Sequence, residues 1–349
     1  MKALQYRTIG QPPEVVEIDT PEPGPGEVRL KVTAAGACHS DEFVMGLGEE
    51  DYQAAGYPLP LTLGHEIAGV VDKVGEGVSA GVNLGDSVVV YGPWGCGFCY
   101  DCSQGHENYC QNVAELGIKY PGLGAPGGMA EHVIIDSTRH LVPLGDLDPI
   151  ECVSLTDAAL TPYHAIKGSL SKLQPGSTAV VIGAGGLGHV ALQILRAITG
   201  ATVVALDVND QKLDFAREVG AHHAFLSGES AIEEVRKLTG GLGANAVFDF
   251  VTVQPTMDLG QKMLRVGGDH VLLGAGGGSL PAGMFGPAWN SAVRAPVWGY
   301  RQELFEVVEL ARSGAIRIET ETFSLDEADK AYAKLHAGEL RGRGVVVPR

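Results

Sequence analysis

Four cysteines constrain this chain more than any other feature. Cys96, Cys99, Cys102 and Cys110 form two consecutive C-x-x-C steps and, after a short loop, a fourth thiol. That spacing lets four thiolates converge on one tetrahedral centre, a closed structural Zn²⁺ site with no position left for substrate. Such a site accounts for folding rather than chemistry. It leaves Cys38, His65 and Asp157 available for a second metal. Four of six cysteines stand at metal-ligand spacing in a chain of 349 residues, so they read as ligands in a reducing compartment rather than as a disulfide framework.

The length exceeds one comfortable core, so two domains are expected. A formal net charge of −17 repels phosphate backbones, which disfavours a zinc ribbon that binds nucleic acid; solubility alone also accounts for it. Residues 1–7 lack the apolar core of a signal peptide, and no apolar run reaches membrane-spanning length. The expectation is a soluble cytoplasmic protein with neither nucleic acid nor membrane as partner.

Up to residue 158, short apolar runs alternate with turn signals, as at 27–32 behind the Pro/Gly run 21–26 and at 87–91 behind Gly85-Asp86. This is the pattern of a β-rich, barrel-like domain. The pattern then changes. Strand 178–183, helix 187–199, strand 202–207, helix 211–219, strand 224–226, helix 230–238, strand 246–251, helix 255–265 and strand 270–273 follow in turn. A last strand near 295–298 and a helix over 303–311 complete the series. Alternating βα units build a parallel, doubly wound sheet, so the fold class is α/β with a second, β-rich domain. The closing run Gly344-Val345-Val346-Val347 reads as a strand returning to the first domain. That domain is then discontinuous, 1–158 with 300–349 and a zinc lobe at about 93–112, around a nucleotide domain at 159–299.

Gly183-Ala184-Gly185-Gly186-Leu187-Gly188 joins an expected strand to an expected helix. The glycines permit a tight turn and let the backbone approach a pyrophosphate seated on the helix N-terminus. Asp207 closes the next strand at the spacing where a carboxylate binds an adenosine ribose diol. It would repel a 2′-phosphate, so NAD(H) is favoured over NADP(H). Lys212 has two readings, a contact to the same ribose or a solvated helix lysine.

The second metal rests on Cys38-His39-Ser40-Asp41, Gly64-His65-Glu66 and Leu155-Thr156-Asp157. One thiolate, one imidazole and one carboxylate supply three ligands and leave a fourth position for water or substrate, as in catalytic zinc sites. Asp41 and Glu66 are candidates to orient the imidazole. Asp157 has a rival reading as the N-cap of a helix beginning near Ala158.

With these parts assembled, the chain resembles the zinc-dependent medium-chain alcohol dehydrogenases over essentially its whole length. Gly64-His65-Glu66-Ile67-Ala68-Gly69, with Gly75 and Val78, matches that family's zinc signature, and the cysteine lobe and glycine turn follow in the family's order. Stretches such as 90–96 and 155–157 look most like bacterial enzymes acting on secondary alcohols. The resemblance implies a GroES-like catalytic domain beside a Rossmann domain, with two Zn²⁺ per subunit and NAD(H). It makes Cys38, His65 and Asp157 the catalytic zinc ligands, Asp157 standing where many members have cysteine. Ser40 matches the hydroxyl that takes the alcohol proton. Phe43 replaces the histidine that continues the relay in many members. His39 and Arg343, or less directly Arg341, match residues that contact the cofactor pyrophosphate. Phe43, Tyr57 and Trp298 match positions of an apolar substrate wall, each with a core-packing alternative. The implied reaction is hydride transfer between an alcohol carbon and NAD in a homodimer or homotetramer. A polyol dehydrogenase on the same zinc, and a non-catalytic zinc-stabilised binding protein, are the rival readings.

Overall fold

The computed structural model describes residues 1–78, 81–117, 119–281, 283–284, 286 and 288–348. The chain divides into two compact units: one holds 1–157, 300–312 and 318–349, the other 158–299 and 313–317.

The first unit begins with β1 (Lys2–Tyr6), β2 (Glu14–Glu17) and β3 (Val28–Ala37), which leads straight into the helix α1 (His39–Met45). Then come β4 (Leu61–Thr62), β5 (Glu66–Val74), β6 (Ser87–Val90), β7 (His132–Ile135) and β8 (Leu141–Pro143). β3 carries alternating apolar side chains on its buried face, as a strand with one face in a core must. It pairs antiparallel with β5, register Gly36 opposite Glu66, so the end of one strand faces the start of the other.

The second unit is a six-stranded parallel sheet of β9 (Thr178–Ile182), β10 (Thr202–Asp207), β11 (His223–Leu226), β12 (Ala244–Asp249), β13 (Leu264–Leu272) and β14 (Ala292–Arg294). Helices α2 (Gly188–Ile198), α3 (Asp210–Glu218), α4 (Glu229–Leu238) and α5 (Gln254–Met263) make the crossovers. All five residues of β9 are buried, as a central strand covered on both faces requires. The spatial order β11-β10-β9-β12-β13-β14 is that of the doubly wound dinucleotide folds, with its switch point between β9 and β12.

The strand expected near 295–298 is instead β14, which ends at Arg294 after pairing with β13 from Asp269 to Val271. Pro296 offers no N–H to a ladder, and Trp298 adopts a left-handed φ of 55°, so the run cannot extend the sheet. Back in the first unit, helix α6 (Arg301–Arg312) is followed by β15 (Thr320–Ser324), helix α7 (Ala328–His336) and β16 (Arg343–Val347). β16 pairs antiparallel with β3, setting Gly344 opposite Ala37. Among the described residues no helix is long and apolar enough to cross a membrane.

Candidate active site

The register of β3, β5 and β16 brings Cys38, Glu66 and Arg343 to neighbouring strand ends. Cys38 is the N-cap of α1, and Asp41, in the first helical turn, accepts its backbone N–H at 3.0 Å. The same carboxylate lies 3.0 Å from Nδ1 of His65 and accepts a hydrogen bond from Tyr332 Oη at 3.0 Å. An acceptor-only carboxylate at Nδ1 puts the ring proton there, so Nε2 turns its lone pair the other way.

Nε2 lies 3.6 Å from Asp157 Oδ2, and Cys38 Sγ lies 3.6 Å from the same oxygen. Ligand bonds of about 2.0–2.3 Å give a tetrahedron edges of about 3.3–3.8 Å, so these separations fit Zn²⁺. Donor atoms of Cys38, His65, Glu66 and Asp157 all lie within 4.8 Å of one another; the first three residues are buried and the Asp157 side chain is 13% exposed. Asp157 is not the N-cap of the following helix, which begins at Leu160 with Ala159 at its N-cap; it instead closes the short helix Val153–Thr156.

The charge balance also favours a cation. Buried carboxyl groups of Asp41 and Glu66 and the nearly buried Asp157 meet the single guanidinium of Arg343, which pairs with Glu66. Burial pushes the Glu66 carboxyl up to about 7 against the pull of Arg343. Burial alone would lower the His65 imidazole, but Asp41 and the Asp157 hydrogen bond outweigh it and raise it well above its ordinary value. A metal ion would supply the positive charge that the site otherwise draws from a proton.

The lobe cysteines gather as a second cluster and none forms a disulfide. Backbone N–H groups of Cys96, Cys99 and Cys102 point at the sulfurs of Cys110, Cys96 and Cys99, at 3.4, 3.3 and 3.5 Å. Burial opposes ionisation of Cys96, but the amides of Phe98 and Cys99 overcome it and bring the thiol down to about 6. The Cys102 amide lowers Cys99 as well, whereas burial raises Cys102, so Cys96 and Cys99 are the thiols most readily ionised for a metal.

In the second unit the turn after β9 shows why its glycines are there. Gly183 has φ 89°, and a Cβ on Gly188 would stand 1.8 Å from the Gly183 carbonyl oxygen. Gly185 has open space, and a Cβ there would come within 3.9 Å of Lys212 Nζ alone. Leu187 is the N-cap of α2. Asp207 accepts the Ala184 N–H at 2.8 Å and the Asn209 N–H at 3.1 Å. It borders a cavity of about 770 Å³ lined also by Gly183, Val208, Ser227 and Gln254, large enough for a nucleoside.

Two family models match the chain: the alcohol dehydrogenase GroES-like domain over residues 24–146 and the zinc-binding dehydrogenase domain over 186–313. The NAD-dependent alcohol dehydrogenase of Sulfurisphaera tokodaii is 35% identical, with 100% of both chains covered. The chain belongs to the zinc-dependent medium-chain alcohol dehydrogenases. D-arabinose 1-dehydrogenase (NADP(+)) of Saccharolobus solfataricus is 36% identical over 99% of this chain and 97% of that protein. The crystal structure of the alcohol dehydrogenase from Aeropyrum pernix superposes with a TM-score of 0.90 at 32% identity, covering 100% of each chain.

Set against what this alcohol dehydrogenase family leads one to expect, several residues sit differently. Arg343 is 2% exposed and ion-paired with Glu66 through Nη2. A buried guanidinium takes the nearest buried carboxylate. Arg341 is more exposed and reaches Glu319 at 3.8 Å. Glu66 is therefore turned to Arg343, and Asp41 is the partner of the His65 Nδ1 atom. His39 is exposed, with Nδ1 2.6 Å from Glu42. Ser40 Oγ is 3.8 Å from Cys38 Sγ. Phe43 is 55% exposed, whereas Tyr57 packs on the core with its ring 5.3 Å from that of Tyr52. Trp298 is buried in the second unit. The Tyr332 contact had no sequence signal, because a tyrosine on an amphipathic helix reads as core.

Proposed function

We propose that this chain is an NAD-dependent alcohol dehydrogenase interconverting secondary alcohols and ketones, with Cys38, His65 and Asp157 holding the catalytic zinc. The observation that supports it is the buried convergence of these three donors, two of the separations being 3.6 Å. When bound, Zn²⁺ supplies a Lewis acid for the alcohol oxygen and NAD⁺ supplies the hydride acceptor. Asp41 holds His65 with Nε2 presented to the site. Ser40 takes the proton that the alcohol loses. Phe43, 55% exposed, has no group that could relay that proton, so Ser40 is the last proton acceptor that this chain supplies. The glycine turn would receive the pyrophosphate and Asp207 the adenosine ribose, with Lys212 beside it; in the first unit His39 is a candidate cofactor contact. Cys96, Cys99, Cys102 and Cys110 hold the structural zinc, two Zn²⁺ per chain in all. The first unit serves as catalytic domain and the second as cofactor domain. The working form is a homodimer or homotetramer, joined by sheet extension at β14, whose Val293 is exposed.

A sugar or polyol dehydrogenase on the same zinc is the second reading, favoured by the relative named for D-arabinose. Assaying primary, secondary and polyhydroxy alcohols with NAD⁺ and NADP⁺, alongside metal analysis, separates the two. We expect two zincs per chain and the highest kcat/KM for secondary alcohols with NAD⁺. A single zinc, or a Cys38→Ser protein that still oxidises secondary alcohols, overturns the ligand assignment. Preference for pentoses or polyols moves the substrate to the second reading.

A further inference from the structure

We infer that Tyr332 is a positioning residue for the catalytic metal site and acts through Asp41 rather than on substrate. The inference rests on the proposed role of His65 and Cys38 as ligands. Asp41 is fully buried, and its two oxygens divide their work. Oδ1 faces His65 Nδ1, while Oδ2 accepts both the Cys38 N–H and the Tyr332 hydroxyl. One carboxylate thus orients two of the three donors, the imidazole by its ring nitrogen and the thiol by its backbone. His65 Nδ1 holds one oxygen, and the other is held by a backbone N–H of the very segment that it must keep in place. The Tyr332 hydroxyl, brought by α7 from 291 residues away, gives Oδ2 a second donor that is anchored outside α1. A buried carboxylate deprived of a donor loses part of its solvation and drifts from its ligand.

The hydroxyl is otherwise unnecessary. Tyr332 packs in a cluster with Val44, Met129 and Leu335, where a phenylalanine would fill the same space. The other neighbour of its oxygen is Met129 Sδ at 3.3 Å, a weak acceptor.

Tyr332→Phe removes that oxygen alone. Release of catalytic zinc to a colorimetric chelator should accelerate by about 10-fold, the lower end for outer partners of a metal ligand. Release from the four-cysteine site should not change. Cobalt substituted at the catalytic site should show a shifted visible spectrum. Added to Asp41→Asn, the substitution should bring no further change, because both act along one path. Met129→Leu, a swap at similar volume, should leave release as in the wild type. A fluorinated tyrosine at the same position, a stronger donor of nearly the same size, should slow release. The inference is overturned if a two-zinc Tyr332→Phe protein keeps the wild-type release rate and cobalt spectrum. Equal acceleration at both sites, an effect of Met129→Leu as large, full additivity with Asp41→Asn, or no response to the fluorinated residue also overturns it. A wild-type chain with one zinc instead removes the ligand assignment underneath.

Discussion

Asp207 illustrates how far a single side chain can be read. It ends β10 only 8% exposed, with one oxygen held by the Ala184 amide and the other by the Asn209 amide. The carboxylate is thereby fixed at the edge of the cavity, where a 2′-phosphate would meet a negative charge that cannot move away. Asp207→Asn should raise the NADP⁺ to NAD⁺ ratio of kcat/KM by at least about 10-fold, since like-charge contacts cost more than the ~1.4 kcal/mol this requires. An unchanged ratio in steady-state assays would remove the residue from cofactor choice. Its position was legible because the motif that locates it is local. The partner of His65 was legible only as a pair of candidates. Glu66 is adjacent in sequence and near the same cluster, but it opens β5 and its carboxylate turns to Arg343, which leaves Nδ1 of His65 to Asp41. Gly36 permits that pairing, since a Cβ there would come 1.9 Å from Glu66 Oε2. Asp41 wins because the first turn of α1 aims it at Cys38 and His65 together.

At the scale of elements, the alternation of strands and helices in the second unit was readable, since buried parallel strands are continuous apolar runs. One exception is β13, which begins at Leu264 directly after α5 rather than at 270, because its first residues Arg265-Val266-Gly267-Gly268 carry no apolar run. The other exception was the edge strand. An edge is half-exposed and its apolar pattern is weak, so the run 295–298 looked better than β14 on composition and lost on proline chemistry. The cysteine lobe is the clearest element of all, and its prediction concerns stability. With short elements only, a helix of four residues and one of three, it has little regular structure to hold it without metal. Selective removal of the lobe zinc should lower the Tm before it lowers turnover. Rapid loss of activity in a chain that stays folded and assembled, followed by circular dichroism and sizing, would assign the lobe a direct part in catalysis.

For the whole molecule, the two units need not resist acid equally. His270 is buried on β13 of the second unit, and burial holds its imidazole below the ordinary 6.5 against the pull of Asp249. The folded chain then binds this proton less readily than the unfolded one. The stabilisation is complete above pH 6.5 and is lost as pH falls from there toward the folded value. Denaturant unfolding at a series of pH values should show stability declining below 6.5 and a shallower decline in His270→Asn. Equal slopes would show that other groups control the acid limit. By itself the sequence determined what acts over a few residues: the cysteine spacing, the glycine turn with its carboxylate, and the alternation that dictates a doubly wound sheet. Only the tertiary structure decided that Cys38 and Asp157, 119 residues apart, share one buried site, and that Tyr332 reaches Asp41 across 291. The physical reason is that strand register and helix docking are set by pairing and burial between distant segments, which leave no periodicity in the segments themselves.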